Sequence, residues 1–193
     1  ILDKMLEATK EDVFVIEASS FQLEHTSNFK PKVSLITNIT PDHIDWHGSF
    51  ENYIDSKLKV LRNQDINDFT ILNHDDKLLR QLKGKVNGRI IWFSVRDILT
   101  EGVYIENEYI VINDGIKKIT LMPSKDLRII GKHNLENVLG CIGIAIAMNL
   151  DLDIVKDSLI NFQGVEHRIE FVANKKGITF YNDSKGTNPD ASI

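Results

Sequence analysis

Apolar residues along this chain fall into short runs, separated by stretches in which they recur at helical spacing. Val13-Phe14-Val15-Ile16 is one such run, too short for a helix and rich in valine, and reads as a buried strand over 12–17. The same reasoning predicts strands over 32–38, 69–72 and 89–94. Helical spacing predicts the tail of a helix over 1–9, a helix from Ser49, its N-cap, to about Arg62, and another over 75–83. Strands alternating with helices predict βαβ units and a mostly parallel sheet flanked by helices, an α/β fold.

The pattern changes in the middle of the chain. Residues 102–121 read as short strands with turn signals at Asn107-Glu108 and Asn113-Asp114-Gly115, hence an antiparallel hairpin or meander added to the main sheet. Gly131 precedes a helix over about 134–149 that is apolar nearly all round and so buried. A further helix is expected over 153–162. Gly164 reads as a hinge, followed by strands over 168–174 and 178–182 joined by Lys175-Lys176-Gly177. A domain boundary is therefore expected near 164, with one domain over 1–164 and the start of another over 165–193.

Composition narrows the function classes. The 193 residues are 42% hydrophobic and 26% charged, with a net charge of −5 and no basic cluster, which disfavours nucleic acid as the main partner. The single cysteine, Cys141, excludes an internal disulfide framework and suits a reducing cytoplasm. No apolar run reaches the length of a membrane span, and no signal peptide is visible. The chain opens on Ile1 and stops just after Asn188-Pro189 in mid-pattern, and is read as part of a longer polypeptide.

Six places could carry chemistry. Glu17 stands where a strand is expected to end, the edge at which α/β sheets collect ligands, so it is a metal or ligand contact or else a solvated strand-end residue. Asn38-Ile39-Thr40-Pro41-Asp42-His43-Ile44-Asp45 follows the next strand. His43 and Asp45 would then share Glu17's edge, where a histidine among carboxylates suits Mg²⁺; a plain polar turn is the alternative. His47 reads as a surface residue. Lys57 falls on or beside the inward face marked by Ile54, Leu58 and Leu61, whereas Lys59 does not. An inward lysine must pair, snorkel or lose its proton, and a neutral amine can take up CO₂ as a carbamate, which is anionic and binds metal. Asn134 and Asn137 share a face at a helix start; paired amides can read a purine, although Asn134 also suits an N-cap. Arg168, at the start of a strand, could clamp phosphate or make a surface ion pair. Asp183, Lys185 and Thr187 occupy a loop after the last strand, either another ligand edge or a polar turn.

Glu17-Ala18-Ser19-Ser20-Phe21-Gln22-Leu23-Glu24, with the order and spacing of these other residues, resembles the Mur ligases of bacterial peptidoglycan synthesis, most closely their D-glutamate-adding branch. The resemblance covers essentially the whole chain. Other Mur ligases and folylpolyglutamate synthase share the architecture and the histidine, lysine and arginine positions, but not Ser-Ser-Phe-Gln-Leu-Glu.

The resemblance implies a central ATP-binding domain of P-loop NTPase type, followed by the first strands of a Rossmann-like domain. It implies Glu17 and His43 on Mg²⁺, and a carbamylated Lys57 positioning a second Mg²⁺. Asn134 and Asn137 would lie at the adenine or ribose of ATP, and Arg168 and Asp183 would contact the nucleotide. Lys185 and Thr187 would lie near the reacting end of the uridine substrate, with Asn38 and Ser19 also on the substrate side. His43, Lys57, Arg168 and Lys185 would serve the chemistry, in which UDP-N-acetylmuramoyl-L-alanine becomes an acyl phosphate and D-glutamate attacks it. A monomeric cytoplasmic enzyme is expected.

Two features depart from the family pattern. No Gly-x-x-Gly-Lys-[Ser/Thr] loop occurs in the chain, and Trp46 stands where relatives often carry a basic residue. The alternatives are another amide ligase of this architecture, a metal-dependent hydrolase using Glu17, His43 and Asp45, and a silent nucleotide-binding module.

Overall fold

A computed structural model describes residues 6–186. One six-stranded sheet carries the fold: β1 (Val33–Ile36), β2 (Phe69–Asn73), β3 (Arg89–Ser94), β4 (Gly102–Glu106), β5 (Tyr109–Asn113) and β6 (Lys118–Pro123), in spatial order β1-β2-β3-β4-β5-β6. The first four strands run parallel, while β5 and β6 return antiparallel. The change follows from connection length. A two-residue turn joins β4 to β5, with Asn107 and Glu108 both at positive φ (49° and 66°), and so tight a turn permits only antiparallel pairing.

Helices cover both faces. α1 (Ser20–Glu24), α2 (Ile44–His47), α3 (Phe50–Leu58) and α4 (Lys77–Arg80) pack on one side. The long α5 (Lys132–Ala147) and α6 (Leu152–Asn161) pack on the other. Alternation along β2 feeds both cores: Ile71 joins Phe93, Val103, Leu139 and Ile142 under α5, while Leu72 joins Tyr53, Leu61 and Leu79 under α3 and α4. α5 comes close to the sheet at Gly140 and Gly143. A methyl built at Gly143 would lie 2.8 Å from Ile71 Cγ2.

A second, two-stranded sheet pairs β7 (Glu170–Lys175) with β8 (Ile178–Asn182), again through a two-residue turn with positive φ at Lys176 and Gly177. Its apolar residues Phe171, Val172, Ile178 and Phe180 are exposed.

Most predicted elements form within two residues of their expected bounds. Three differ. The run at 12–17 makes no strand, and its residues are exposed, Val15 at 95%. Apolar character alone cannot make a strand, which also needs a hydrogen-bonded neighbour. Second, the helices expected over 49–62 and 75–83 each end early in a tighter 3₁₀ turn, Lys59–Leu61 and Gln81–Gly84. Third, Arg168 lies in a bend before β7 rather than in the strand. Of the helix expected over 1–9, Leu6 and Glu7 are helical and 1–5 lie outside the described residues.

Candidate functional site

The segment from Glu17 to Glu24 builds a capped turn of helix. Ser19 caps α1: its hydroxyl accepts from the Gln22 amide at 3.3 Å, and the Gln22 side chain accepts from the Ser19 amide at 2.9 Å. Capping aims Ser20 inward and leaves Glu24 at the helix end. α2 is one turn long, with His43 as its N-cap in the left-handed region (φ 52°). Ser49 caps α3, as predicted, accepting from the Asn52 amide at 3.1 Å.

These three short helices converge on His47. The sequence reading placed this residue at the surface, but it is only 8% exposed. Its Nε2 lies 3.0 Å from Ser20 Oγ and its Nδ1 lies 3.3 Å from Ser56 Oγ. Ser56 in turn donates to Glu24 at 2.6 Å, and Lys59 ion-pairs with Glu24 at 2.9 Å. The Ser56 hydroxyl and then the Lys59 hydrogen bond hold the Glu24 carboxyl below the usual carboxylate range. Lys59 is thus the lysine drawn inward to a partner, against expectation, because the 3₁₀ turn after α3 rotates it toward α1. One signal for Ser56 was available: Tyr53, Ser56 and Val60 recur at i, i+3, i+7, the spacing of a helix face. Beside this cluster opens a cleft of about 740 Å³, lined among others by Glu24, Trp46, Asp55, Lys59 and Arg62.

The predicted site residues fall into two groups. Near the converging helices, Glu17 is exposed and carries no hydrogen bond or ion pair among the described residues. His43 is half-exposed, 4.8 Å from the Phe21 ring and 3.6 Å from the Asp42 carboxylate. Asn38 and Asp45 are exposed. Lys57 is half-buried, with its ammonium 5.2 Å from the centre of the Tyr53 ring.

The second group gathers at the start of α5. Asn134 is not the N-cap, a place taken by Gly131 (φ 100°); its amide donates back to the Ile130 carbonyl at 2.7 Å. Asn137 is exposed one turn on. The loop after β8 folds onto the bend before β7: Asp183 accepts from the Ile169 amide at 3.2 Å, and the Lys185 amide donates to the His167 carbonyl at 3.1 Å. Ile169 also approaches Gly131, so Arg168 and Asp183 come to the side of the fold where α5 begins. Thr187 lies outside the described residues. A cleft of about 450 Å³, lined by residues including Arg96, Lys125, Ile129 and Leu135, opens there past the end of β3.

The sequence reading passed over one further cluster. His74, Asp75 and Asp97 bring a ring nitrogen and two carboxylates within 4.8 Å of one another. Their contacts have a structural purpose. Asp75 accepts from Ser94 Oγ at 2.5 Å and from the Val95 amide at 2.9 Å, and His74 meets Asp97 at 3.1 Å, which staples the ends of β2 and β3 together.

This mostly parallel sheet with helices on both faces has known relatives. Residues 1–145 match the Mur ligase middle domain, and the chain belongs to the Mur ligase family. It is 46% identical over 191 residues to the UDP-N-acetylmuramoylalanine–D-glutamate ligase of Lachnoclostridium phytofermentans, covering 98% of this chain and 42% of that protein. The chain therefore spans about two-fifths of the length of the curated relatives it matches. Two solved structures share the fold. One is the UDP-N-acetylmuramoylalanyl-D-glutamyl-2,6-diaminopimelate–D-alanyl-D-alanyl ligase of Acinetobacter baumannii, with TM-score 0.68, 19% identity, and 90% of this chain and 38% of that one covered. The other is the MurF ligase of Thermotoga maritima in complex with ADP, with TM-score 0.60, 17% identity, and 84% and 37% covered.

Proposed function

We propose that the polypeptide carrying this chain is an ATP-dependent amide ligase that joins D-glutamate to UDP-N-acetylmuramoyl-L-alanine in bacterial peptidoglycan synthesis. The observation that carries this is the 46% identity over 98% of the chain to a ligase of that name. The reaction has two stages. The carboxylate of UDP-N-acetylmuramoyl-L-alanine attacks the γ-phosphate of ATP, giving an acyl phosphate and ADP. The D-glutamate amine then attacks the acyl carbon, phosphate leaves, and the amine proton passes to a base or to solvent.

The chain's own groups suit that chemistry. Glu17 offers a carboxylate without a partner among the described residues and His43 a half-exposed imidazole, a sparse donor set of the kind that shares Mg²⁺ with water and phosphate. Those two residues would hold Mg²⁺, which neutralises charge on a transferring phosphoryl group. Lys57 has its stem half-buried beside Tyr53 and, among the described residues, no carboxylate partner, so it is available for carbamylation and for a second Mg²⁺. Asn137 is exposed and makes no side-chain hydrogen bond among the described residues, which leaves its amide for the adenine or ribose of ATP, beside Asn134 and next to the cleft at the start of α5. Arg168 and Asp183 would meet the nucleotide from the β7–β8 side, and Lys185, Thr187, Asn38 and Ser19 would meet the uridine substrate. Ser19's hydroxyl is already engaged in its cap, so its contact would add to that role.

Residues from about 165 onward would begin a second domain, and closure of that domain on the first would keep water from the acyl phosphate. The enzyme would work as a monomer in the cytoplasm; among the described residues, no helix is long and apolar enough to cross a membrane.

Phosphate release by the full-length polypeptide with Mg-ATP and UDP-N-acetylmuramoyl-L-alanine tests this reading, with D-glutamate, L-lysine or meso-diaminopimelate added in turn. Release with D-glutamate alone is expected, and release with another amino acid would overturn the specificity. Lys57→Ala is expected to lose most activity and to regain part of it with a small carboxylic acid. Wild-type rates in Lys57→Ala would remove the carbamate from the account.

A further inference from the structure

We propose that His47 is a positioning residue, donating its Nδ1 hydrogen to Ser56, and that it sets the mutual geometry of the three helices bearing Ser19, His43 and Lys57. What it positions rests on the reading under Proposed function; the network itself does not.

A count of hydrogens fixes the direction of the bond at His47 Nδ1. Ser56 has one hydroxyl hydrogen and two takers, Glu24 Oε2 at 2.6 Å and the Asn52 carbonyl at 2.8 Å. The carboxylate is the closer and charged acceptor, and it takes this hydrogen. Ser56 Oγ therefore turns lone pairs toward His47 Nδ1, 3.3 Å away, and that nitrogen must supply the hydrogen. His47 Nε2 lies 3.0 Å from Ser20 Oγ, the second hydrogen-bond partner of the ring. The network runs from Ser20 through His47 and Ser56 to Glu24, and Lys59 closes it. No buried side-chain nitrogen or oxygen among the described residues is left without a partner.

The same residue ties the helices together through its backbone and its ring faces. Its amide donates to the His43 carbonyl at 3.1 Å, which holds the short α2 turn closed. Its carbonyl accepts from Asn52 Nδ2 at 2.8 Å, which pins α2 to α3. Its ring stacks on Phe21 at 5.6 Å and meets the edge of Tyr53 at 5.3 Å. Phe21 also touches His43, and Tyr53 also faces Lys57. His47 thus contacts the helices capped by Ser19 and His43 and the helix that carries Lys57. Ser20 is 5% exposed, so the network serves to orient these helices and leaves no nucleophile open to a substrate.

The test begins with the full-length polypeptide labelled with ¹⁵N in histidine, read by long-range ¹H–¹⁵N correlation at neutral pH. His47 is assigned as the ring missing from His47→Phe. Its Nδ1 is expected to carry a hydrogen; a ring with a bare Nδ1 would overturn the proposal. The second readout is kinetic. His47→Phe keeps the aromatic stack and loses both hydrogen bonds, and is expected to lower kcat about 10- to 100-fold with the KM for ATP little changed, as misplaced reacting groups do. His47→Asn can still donate toward Ser56 and is expected to recover part of kcat. A His47→Phe enzyme with wild-type kcat would refute the positioning role. Were wild type itself to release no phosphate with D-glutamate, the proposed function would fall, while the ring spectrum would still decide the network.

Discussion

Gly143 offers the sharpest test of how the fold places α5, and with it Asn134 and Asn137. In an exposed helix, Gly→Ala stabilises by about 1 kcal/mol through backbone entropy. Here the new methyl would meet Ile71 Cγ2 at 2.8 Å and Cγ1 at 3.1 Å. Comfortable carbon–carbon contact starts near about 3.5 Å, so the helix or strand must open by roughly 0.7 Å. Ile71 is fully buried, in the interior strand β2, and both atoms hang directly on its Cβ, so a rotamer change gives little relief. Overpacking of this kind costs about 1–3 kcal/mol, which exceeds or cancels the helical gain and leaves a net loss of about 0–2 kcal/mol.

Gly140 is the matched control. Its methyl would meet Leu35 Cδ1 at 2.9 Å, the far end of a flexible, half-buried side chain that can swing aside. Urea unfolding monitored by circular dichroism should place the Gly143→Ala midpoint below that of wild type and the Gly140→Ala midpoint at or above it, with unchanged slope. Ile71→Ala should reverse the sign at Gly143, because the methyl then fills space the isoleucine vacated; a coupling of about 0.5–3 kcal/mol is expected between the two sites. A Gly143→Ala protein more stable than wild type, with no coupling to Ile71, would refute the reasoning.

Two further perturbations follow from the same structure. Glu24 is held below its ordinary pKa by Ser56 and Lys59, so its contribution is present above the unfolded carboxylate range, near about pH 4.5, and is lost as pH falls through the lower folded value. Glu24→Gln should therefore flatten the acid limb of a stability-against-pH curve, and an unchanged limb would argue that the Glu24 network is not formed in solution. Asp76 caps α4 through the Leu78 and Leu79 amides at 2.8 and 3.1 Å and also accepts from the Ile39 amide at 3.1 Å. Asp76→Ala should cost about 2–4 kcal/mol, the sum of a lost cap and a charged hydrogen bond, and calorimetry showing less than about 0.5 kcal/mol would count against that bond.

Much of this protein can be read from its residues in order. Alternating apolar runs and helical spacing located β1 to β3, the meander, α5 and α6, because parallel strands buried on both faces must be apolar throughout and their crossovers must be amphipathic. The capped turn at Ser19–Gln22 and the cap at Ser49 are also local, set by side chains three residues from the amides they satisfy.

Only the tertiary structure decided the rest, since those outcomes depend on which groups meet across the chain. Val13–Ile16 has the composition of a strand, but hydrogen bonding to a neighbour makes a strand, and no pairing forms there. His47, in a polar stretch after Trp46, carries no periodic signal of burial. It is buried because Ser20, 27 residues earlier, and Ser56, nine later, supply the two hydroxyls its ring nitrogens need. The sequence puts Lys57, and not Lys59, by the inward face; a 3₁₀ turn at the end of α3 sends Lys59 to Glu24 and leaves Lys57 without a carboxylate partner among the described residues. Local sequence sets propensity and pattern, while the partners that satisfy a buried polar group come from distant parts of the chain and exist only once the helices have packed.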